Sequence, residues 1–375
     1  MAFSTFIGKF PLSVSKAFIH LSFPLGNSQW SHTFRERLAM HSYRFDTPSL
    51  DGLRQHKETI PKPQRGELLL RVHAVSLNYR DLALLDGRIL KPSIAGGIPV
   101  SDAAAEVIEL GEGVDDFQVG DRVISLFHPR WFGGPKIAAR AIGSYGYDQD
   151  GWLTEFKVVS REAVVALPDG LSYAEGATLP CAAVTAWNAI SGATPIRVGQ
   201  SVLTLGSGGV SLFALQYAKA AGGRVIATTS SSAKAERLKA LGADEVINYR
   251  EIAQWGATVR SLTADVGVDR VVEVGGPATI KQSLKAVAFH GEVVLVGFLG
   301  ETGAALDYFD LMGAGASLRS TNVGDRAMLE DTVKATVSGR VKPVIDRVFP
   351  FAEARAAFAH LRSGQHFGKV VISLD

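Results

Sequence analysis
The sequence predicts an α/β protein in which a β-rich, barrel-like first half precedes a doubly wound parallel sheet. Three observations carry that expectation. Up to residue 176, short apolar stretches are separated by glycine and aspartate turns; beyond Pro180, strand-like and helix-like stretches alternate; and the first strand of that second part ends in a tight glycine turn, Gly206-Ser207-Gly208-Gly209-Val210-Ser211.

In the first half, residues 68–75 partly alternate apolar and polar side chains, as a half-buried strand does. Stretches 105–110, 121–127 and 154–159 are also strand-like, with Gly111-Glu112-Gly113, Val119-Gly120-Asp121 and Asp150-Gly151 as turn signals. The interval 128–150 carries Trp131, Gly133, Gly134, Tyr145 and Tyr147 without a clear period, and reads as a long aromatic loop covering a site. A plain surface loop is the alternative. In the second half, strands at 201–205, 224–228, 245–248, 270–274 and 292–298 alternate with helices at 211–221, 233–241 and 279–289, which implies a parallel sheet covered on both faces. Stretches 341–349 and 368–374 are again strand-like and are expected to return to the first half.

Composition narrows the class. A chain of 375 residues, 46% hydrophobic and 20% charged, is that of a two-domain globular protein. The formal net charge of +2, without a dense basic block, points away from nucleic acid and from anionic membranes and towards small ligands. No run of eighteen apolar residues marks a transmembrane helix. The single cysteine, Cys181, excludes an intrachain disulfide and a thiolate-rich zinc cluster, and fits a reducing cytoplasm. Residues 1–39 stand apart, with Lys9, Lys16, Arg35 and Arg37 against the lone acid Glu36. They read as an extension without a fold, upstream of a natural start at Met40; a transit segment, which would make the protein mitochondrial, is the alternative.

The glycine turn has a physical logic. Gly206 permits a sharp turn after a buried strand, Gly208 lets a pyrophosphate approach the backbone, and the helix starting near Gly209 offers free N–H groups to anionic oxygens. Ser211 stands at the last small position, so this is a variant of the GxGxxG dinucleotide fingerprint. About twenty residues on, where an NAD site places an acidic residue on the adenine ribose, the chain has Thr229, Ser230 and Ser231 followed by Lys234 and Arg237. A carboxylate would repel a 2'-phosphate; these residues do not, and the expected cofactor is NADP(H). The alternative is a solvated loop followed by a charged helix face.

Further motifs appear in order: Asn78-Tyr79-Arg80-Asp81, Val119-Gly120-Asp121-Arg122-Val123, Leu179-Pro180-Cys181 through Thr185-Ala186-Trp187, Leu241-Gly242-Ala243-Asp244, Val246 through Arg250, and Gly368-Lys369-Val370-Val371. With them the chain resembles the medium-chain dehydrogenase/reductase superfamily over residues 40–375, on its zinc-independent quinone oxidoreductase side. The resemblance implies a GroES-like β-barrel catalytic domain at 40–176, a Rossmann NADP-binding domain at 177–319, and a return to the catalytic domain at 320–375. In zinc alcohol dehydrogenases of this superfamily the first metal ligand is a cysteine where this chain has Asn78. The second lies in a Gly-His-Glu where Val100-Ser101-Asp102 stands, and only Cys181 matches the third. Asp102 with Cys181 leaves a site one ligand short of the three needed, so no metal is expected.

Without a Lewis acid, reduction of a quinone, an α,β-unsaturated carbonyl or a related carbonyl acceptor is easier to support than alcohol oxidation. The resemblance places Asn78 and Tyr79 at the mouth of the nicotinamide site, as hydrogen-bond donors to such a small electrophile; purely structural roles for both are the alternative. It also implies that Thr185 approaches the nicotinamide ribose, and that Lys234 and Tyr249, with Ser230, hold the 2'-phosphate. Gly275 and Gly297, Phe298 and Leu299 end successive strands and should border the nicotinamide. Gly206, Ser207, Gly208, Gly209 and Val210 complete the cofactor set together with Lys369. Arg80 is expected to pair with an acid, and Cys181 to be a packed residue. A homodimer built on an edge strand near Phe298 is a further expectation. Two other functions remain in view: a zinc-type alcohol dehydrogenase, and a non-catalytic NADPH-binding sensor or structural protein.

Overall fold
The computed structural model describes residues 39–89, 96–136, 143–300 and 305–375. Residues 1–38 of the expected N-terminal extension and the 137–142 part of the aromatic loop lie outside the described residues, and Ala39, the last residue of that expected extension, already belongs to a strand.

Strands β1 (Ala39–Phe45) and β2 (Leu53–Thr59) form an antiparallel pair. Strand β3 (Glu67–Ser76) leads into the short helix α1 (Tyr79–Leu85), and β4 (Asp102–Leu110), β5 (Arg122–Ser125), β6 (Phe156–Ser160) and β7 (Val164–Ala166) follow. A helical turn α2 (Tyr173–Gly176), a wide π-type turn over Leu179–Ala183 and helix α3 (Val184–Ser191) carry the chain across to the second sheet. There β8 (Ser201–Leu205), α4 (Gly209–Ala220), β9 (Arg224–Thr229), α5 (Ser232–Ala240), β10 (Glu245–Asn248) and α6 (Trp255–Leu262) alternate. They continue with β11 (Val268–Glu273), α7 (Ile280–Ala286), β12 (Val287–Leu295), α8 (Tyr308–Ala314) and β13 (Ser317–Ser320). Helix α9 (Arg326–Val337), strand β14 (Ile345–Pro350), helix α10 (Ala354–Arg362) and strand β15 (Lys369–Ser373) close the order.

The second sheet is wholly parallel, in the order β10-β9-β8-β11-β12-β13. Its strands are apolar because helices cover both faces: Val202, Leu203, Val225, Ile226, Val271, Val272, Val293 and Val294 are all fully buried. The strand order reverses between β8 and β11, and such a switch point opens a crevice at the carboxyl ends of the strands. The first sheet runs β14-β15-β3-β4-β5-β7, with β6 also on β3. Together the two give the GroES-like plus Rossmann-type architecture. The sheets meet where the crevice opens: the backbone N–H of Gly368, just before β15, donates to Ser207 O at 2.9 Å, and Gly208 bridges Gly368.

Three expectations need correction. The helix expected to run to 289 ends at Ala286, and Val287-Ala288-Phe289 already belongs to β12. Val287 pairs with Val268 on β11, so a β-branched and aromatic run finds a strand partner that overrides its helical period. That strand ends at Leu295, three residues early; the segment beyond it leaves the sheet and folds over β11, with Val296 N bonded to Glu273 O at 2.9 Å. Nor is there an edge strand at Phe298. The edge is β13, since Glu292 to Leu295 are paired in register with Ser317 to Ser320.

Candidate active site
The glycine turn has the geometry that a pyrophosphate cradle needs. Gly206 has φ of +73°, which an L side chain adopts only under strain. A Cβ on Gly208 would meet nothing within 4 Å, whereas one on Gly209 would come within 2.5 Å of Lys369 Cδ. The turn is braced by Gly206 N–H to Thr228 O at 3.0 Å and by Ser211, whose hydroxyl donates to Leu205 O at 2.6 Å. Gly208 is the N-cap of α4 without a side chain, so helix donors at Gly209 and Val210 are left to an anionic partner. These residues fit a dinucleotide.

At the end of β9 the hydroxyl cluster divides its work. Thr228 braces the turn through its side chain at 3.3 Å from Gly206 N, Thr229 is buried, and Ser231 caps α5 by accepting from Lys234 N at 3.3 Å. The Thr229 hydroxyl has no hydrogen-bond partner, and that of Ser230 takes no such role either. Tyr249 is brought alongside by its N–H bond to Thr229 O at 2.9 Å. The Lys234 ammonium donates to Gly364 O at 3.1 Å and His366 O at 3.0 Å, so it also ties down the loop that leads into β15. Burial depresses the Lys234 pKa; Asp346 opposes that shift, while Arg237 and Arg250 reinforce it. The Arg237 guanidinium lies 3.8 Å over the Phe367 ring. Burial, then Lys234, also pushes His366 down to about 4, so its ring is neutral near pH 7. The corner is thus rich in cations, which favours a phosphate. Arg250 was missed from sequence, since only the fold brings it to Lys234.

On the opposite wall, Thr185 is buried on α3, and the Gly275-Gly276 turn is held by Glu273. This fully buried carboxylate accepts from Gly275 N at 2.7 Å, Gly276 N at 2.9 Å and Thr279 Oγ1 at 2.6 Å, and also from the Ser283 hydroxyl. Leu299 N and Gly300 N bond back to Val274 O at 3.3 Å and Gly275 O at 2.8 Å, which sets Gly297, Phe298 and Leu299 beside that turn. Phe298 and Leu299 remain about half exposed, at 45% and 47%.

Tyr79 faces them across the crevice. Its hydroxyl donates to Leu299 O at 3.2 Å, accepts from Arg88 Nη1 at 2.7 Å, and its ring meets Phe298 edge-on with centroids 5.8 Å apart. Arg88 is a second residue that sequence reading missed. Asn78 is buried at the N-cap of α1, where its backbone N–H donates to Asp81 Oδ2 at 2.7 Å. The direct bonds of Arg80 go to Ser144 Oγ at 2.9 Å and to Tyr145 O, and it stacks on Phe127, so it anchors the aromatic loop, while its charge acts on Asp81 and Asp102 without a direct bond to either. That loop also reaches the far side of the crevice, through His128 Nε2 to Asn322 Oδ1 at 3.2 Å and Arg326 N to Trp131 O at 2.9 Å.

The three positions that hold zinc in metal-dependent relatives are here tied into one network. Lys369 Nζ donates to Leu77 O at 2.6 Å and Asn78 Oδ1 at 2.5 Å; Asn78 Nδ2 faces Ser101 Oγ at 3.4 Å; Ser101 Oγ donates to Asp102 Oδ1 at 2.6 Å; and Asp102 Oδ2 accepts from Cys181 N at 3.1 Å. Desolvation, then the Asp102 carboxylate, pushes the Cys181 thiol up to about 12. Of the side chains at these positions only the Asp102 carboxylate and Cys181 are of a type that zinc takes, one short of the three protein ligands it needs, and Asn78 and Ser101 supply an amide and a hydroxyl instead. Among the described residues no group of three or more His, Cys, Asp or Glu has metal-binding geometry. A thiol held neutral is also a poor nucleophile. Ser101 is preceded by Val100, whose φ of +75° is rare for a β-branched residue and costs about 1–3 kcal/mol.

Asp81 gives a pH signature. Its Oδ2 accepts from Asn78 N at 2.7 Å while Oδ1 has no partner, and burial raises its pKa from 3.8 to about 6. The folded state therefore holds this proton more tightly than the unfolded chain, and the associated stability, present below pH 4, is lost as pH rises towards 6. Asp81→Asn removes that dependence. Denaturant titrations should show the variant gaining about 2–3 kcal/mol relative to the parent between pH 4 and pH 7; parallel pH profiles would show that Asp81 does not titrate in this way.

Comparison with known proteins agrees with this architecture. A model of the alcohol dehydrogenase GroES-like domain matches residues 64–169, and one of zinc-binding dehydrogenases matches residues 209–338. A zinc-type alcohol dehydrogenase-like protein of Schizosaccharomyces pombe is 37% identical over 87% of this chain and 96% of its own length. A chloroplastic quinone-oxidoreductase of Triphysaria versicolor is 30% identical over 86% and 94%. The solved structure of an NAD-dependent alcohol dehydrogenase superposes with a TM-score of 0.83 at 28% identity, covering 90% of this chain and 100% of that one. With both halves of the fold matched, and with relatives of this identity aligned over nearly their whole length, the chain belongs to the medium-chain dehydrogenase/reductase superfamily and is an NAD(P)-dependent oxidoreductase.

Proposed function
We propose that the protein transfers hydride from NADPH to a quinone, an α,β-unsaturated carbonyl or a related carbonyl compound, without zinc. The observation that carries this reading is the Lys369–Asn78–Ser101–Asp102 network, which puts an amide and a hydroxyl at two zinc-ligand positions and leaves Asp102 with Cys181 one ligand short of three. NADPH, when bound, supplies the hydride. The acceptor takes up hydride and one proton and NADP⁺ is left, so the protein must stabilise charge on the acceptor oxygen and deliver the proton. Asn78 Nδ2 is suited to the first task. Tyr79 is suited to the second, once its hydroxyl releases Leu299 O, and Arg88 on its oxygen stabilises the phenolate left behind. Preference for the phosphorylated cofactor is supported by Ser230, Lys234 and Tyr249, joined by Arg250.

Assembly follows the same pattern of evidence from position. Strand β13 leaves one edge of the parallel sheet unpaired, and α8 beside it exposes Tyr308, Phe309 and Met312, which suits a homodimer through that edge. Among the described residues no helix is long and apolar enough to cross a membrane.

The test is NADPH consumption by chelator-dialysed protein over quinones, enones and aldehydes, repeated with NADH and, in the reverse direction, with simple alcohols. Oxidation of NADPH well ahead of NADH, with an activated acceptor, is the expected result. Turnover of simple alcohols that appears only with added zinc would favour the alcohol dehydrogenase reading, and NADPH binding without any turnover would favour a sensor.

A further inference from the structure
The network behind Asn78 has a direction. A lysine ammonium carries three donors and no acceptor, so Lys369 Nζ, 2.5 Å from the Asn78 side chain, can face only the amide oxygen. At the other end a carboxylate accepts only, so Ser101 must give its proton to Asp102 at 2.6 Å and turn a lone pair towards Asn78. Cation and anion therefore set the sense of every bond between them: lysine to amide oxygen, amide nitrogen to hydroxyl, hydroxyl to carboxylate. The Asn78 nitrogen faces Ser101 Oγ at a long 3.4 Å, and its amide also bonds to the Asp102 carboxylate. Lys369 has little freedom to do anything else. It is 3% exposed, its second bond is to Leu77 O at 2.6 Å, and its stem lies against the Gly209 backbone at the start of α4.

We propose that Lys369 is the positioning residue of the acceptor site: its ammonium locks the Asn78 amide oxygen, so that the nitrogen end is the one that exchanges its long contact with Ser101 for the acceptor oxygen as hydride arrives. Without Lys369 the two ends of the amide are nearly equivalent in shape, and a flipped Asn78 would meet the acceptor oxygen with its own oxygen. This inference rests on the proposed donor role of Asn78. Lys369 thereby links the two halves of the site, since the same side chain that covers the start of the cofactor-binding helix orients the acceptor donor.

The test is a double-mutant cycle with Asn78→Ala, Lys369→Met and the double variant, reading kcat at saturating NADPH and acceptor, and NADPH Kd by fluorescence. Asn78→Ala is expected to lower kcat about 100-fold or more. Lys369→Met is expected to lower it about 10- to 100-fold, beyond any change in NADPH Kd, and the double variant should be no slower than Asn78→Ala alone. Multiplying losses in the double variant, or a Lys369→Met effect confined to NADPH Kd, would overturn the positioning role while leaving Asn78 as donor. A full kcat in Asn78→Ala would instead remove the donor reading and this inference with it. Because Lys369→Met leaves Asp102 buried without its cation, Asn78→Asp serves as the second variant. Its carboxylate can pair with Lys369 and preserve the fold, yet it has no N–H to offer. A kcat as low as that of Asn78→Ala is expected, and a kcat near the parent value would overturn the proposal.

Discussion

Lys234→Glu should reverse the cofactor preference, lowering kcat/KM for NADPH by roughly 10³-fold while changing that for NADH about threefold or less. The estimate follows from charge. Two unit charges about 4 Å apart at an effective dielectric of about 20 interact by about 4 kcal/mol, close to three powers of ten in affinity. In this chain Lys234 stands with Arg250 and Arg237 at the end of β9, and Asp346 is the acid that acts against them on Lys234. A glutamate would repel a 2'-phosphate but could accept from the ribose hydroxyls of NADH. Lys234 also holds Gly364 O and His366 O, so any substitution frees that loop. Lys234→Met separates the two roles: it loses the loop bonds without adding negative charge. If Met and Glu variants behave alike, and NADH suffers as much as NADPH, the loop rather than the phosphate explains the effect.

Gly208→Val should abolish measurable binding of both NADPH and NADH, at least about 100-fold in Kd, with little change in melting temperature. Gly208 has φ of −80° and ψ of 173°, a conformation open to a branched residue, and its added Cβ would meet no atom within 4 Å. The folded chain therefore tolerates the side chain. The cofactor does not, because that empty space lies at the N-terminus of α4 where a pyrophosphate must approach the helix N–H groups. Calorimetric titration with each nucleotide, alongside thermal melts, checks both halves. Retained binding would place the pyrophosphate elsewhere; a collapsed melting temperature would show that the open space is needed for folding. Gly209→Val makes the contrast, since its Cβ would press on Lys369 and Ala182 and cost stability as well.

Legibility in the sequence followed the range of the forces involved. Strands β8 and β10 were readable to the residue, because buried parallel strands are short apolar runs bounded by turns. The glycine turn was readable because its residues are neighbours in sequence, while the surroundings of Lys234 were readable only in part, since Arg250 comes to it through the fold. The start of β12 was not, since Val287 is drawn into the sheet by Val268. The surroundings of Asn78 and Tyr79 were least legible. Both residues could be picked out, but their hydrogen bonds run to Lys369, 291 residues away, and to Leu299, 220 residues away. Arg88 and Glu273 carry no local motif; the first matters through the Tyr79 hydroxyl and the second through the backbone of Gly275 and Gly276. Hydrogen-bond partners brought together only by the tertiary fold leave no periodic trace in the chain.

The most direct test of the account is the rate of NADPH oxidation with a quinone or enone acceptor, measured on protein dialysed against a strong chelator until no zinc remains. The network around Asn78, Ser101, Asp102 and Lys369 predicts an unchanged rate, with no gain on adding zinc. Loss of activity on chelation, restored by one equivalent of zinc, would contradict it.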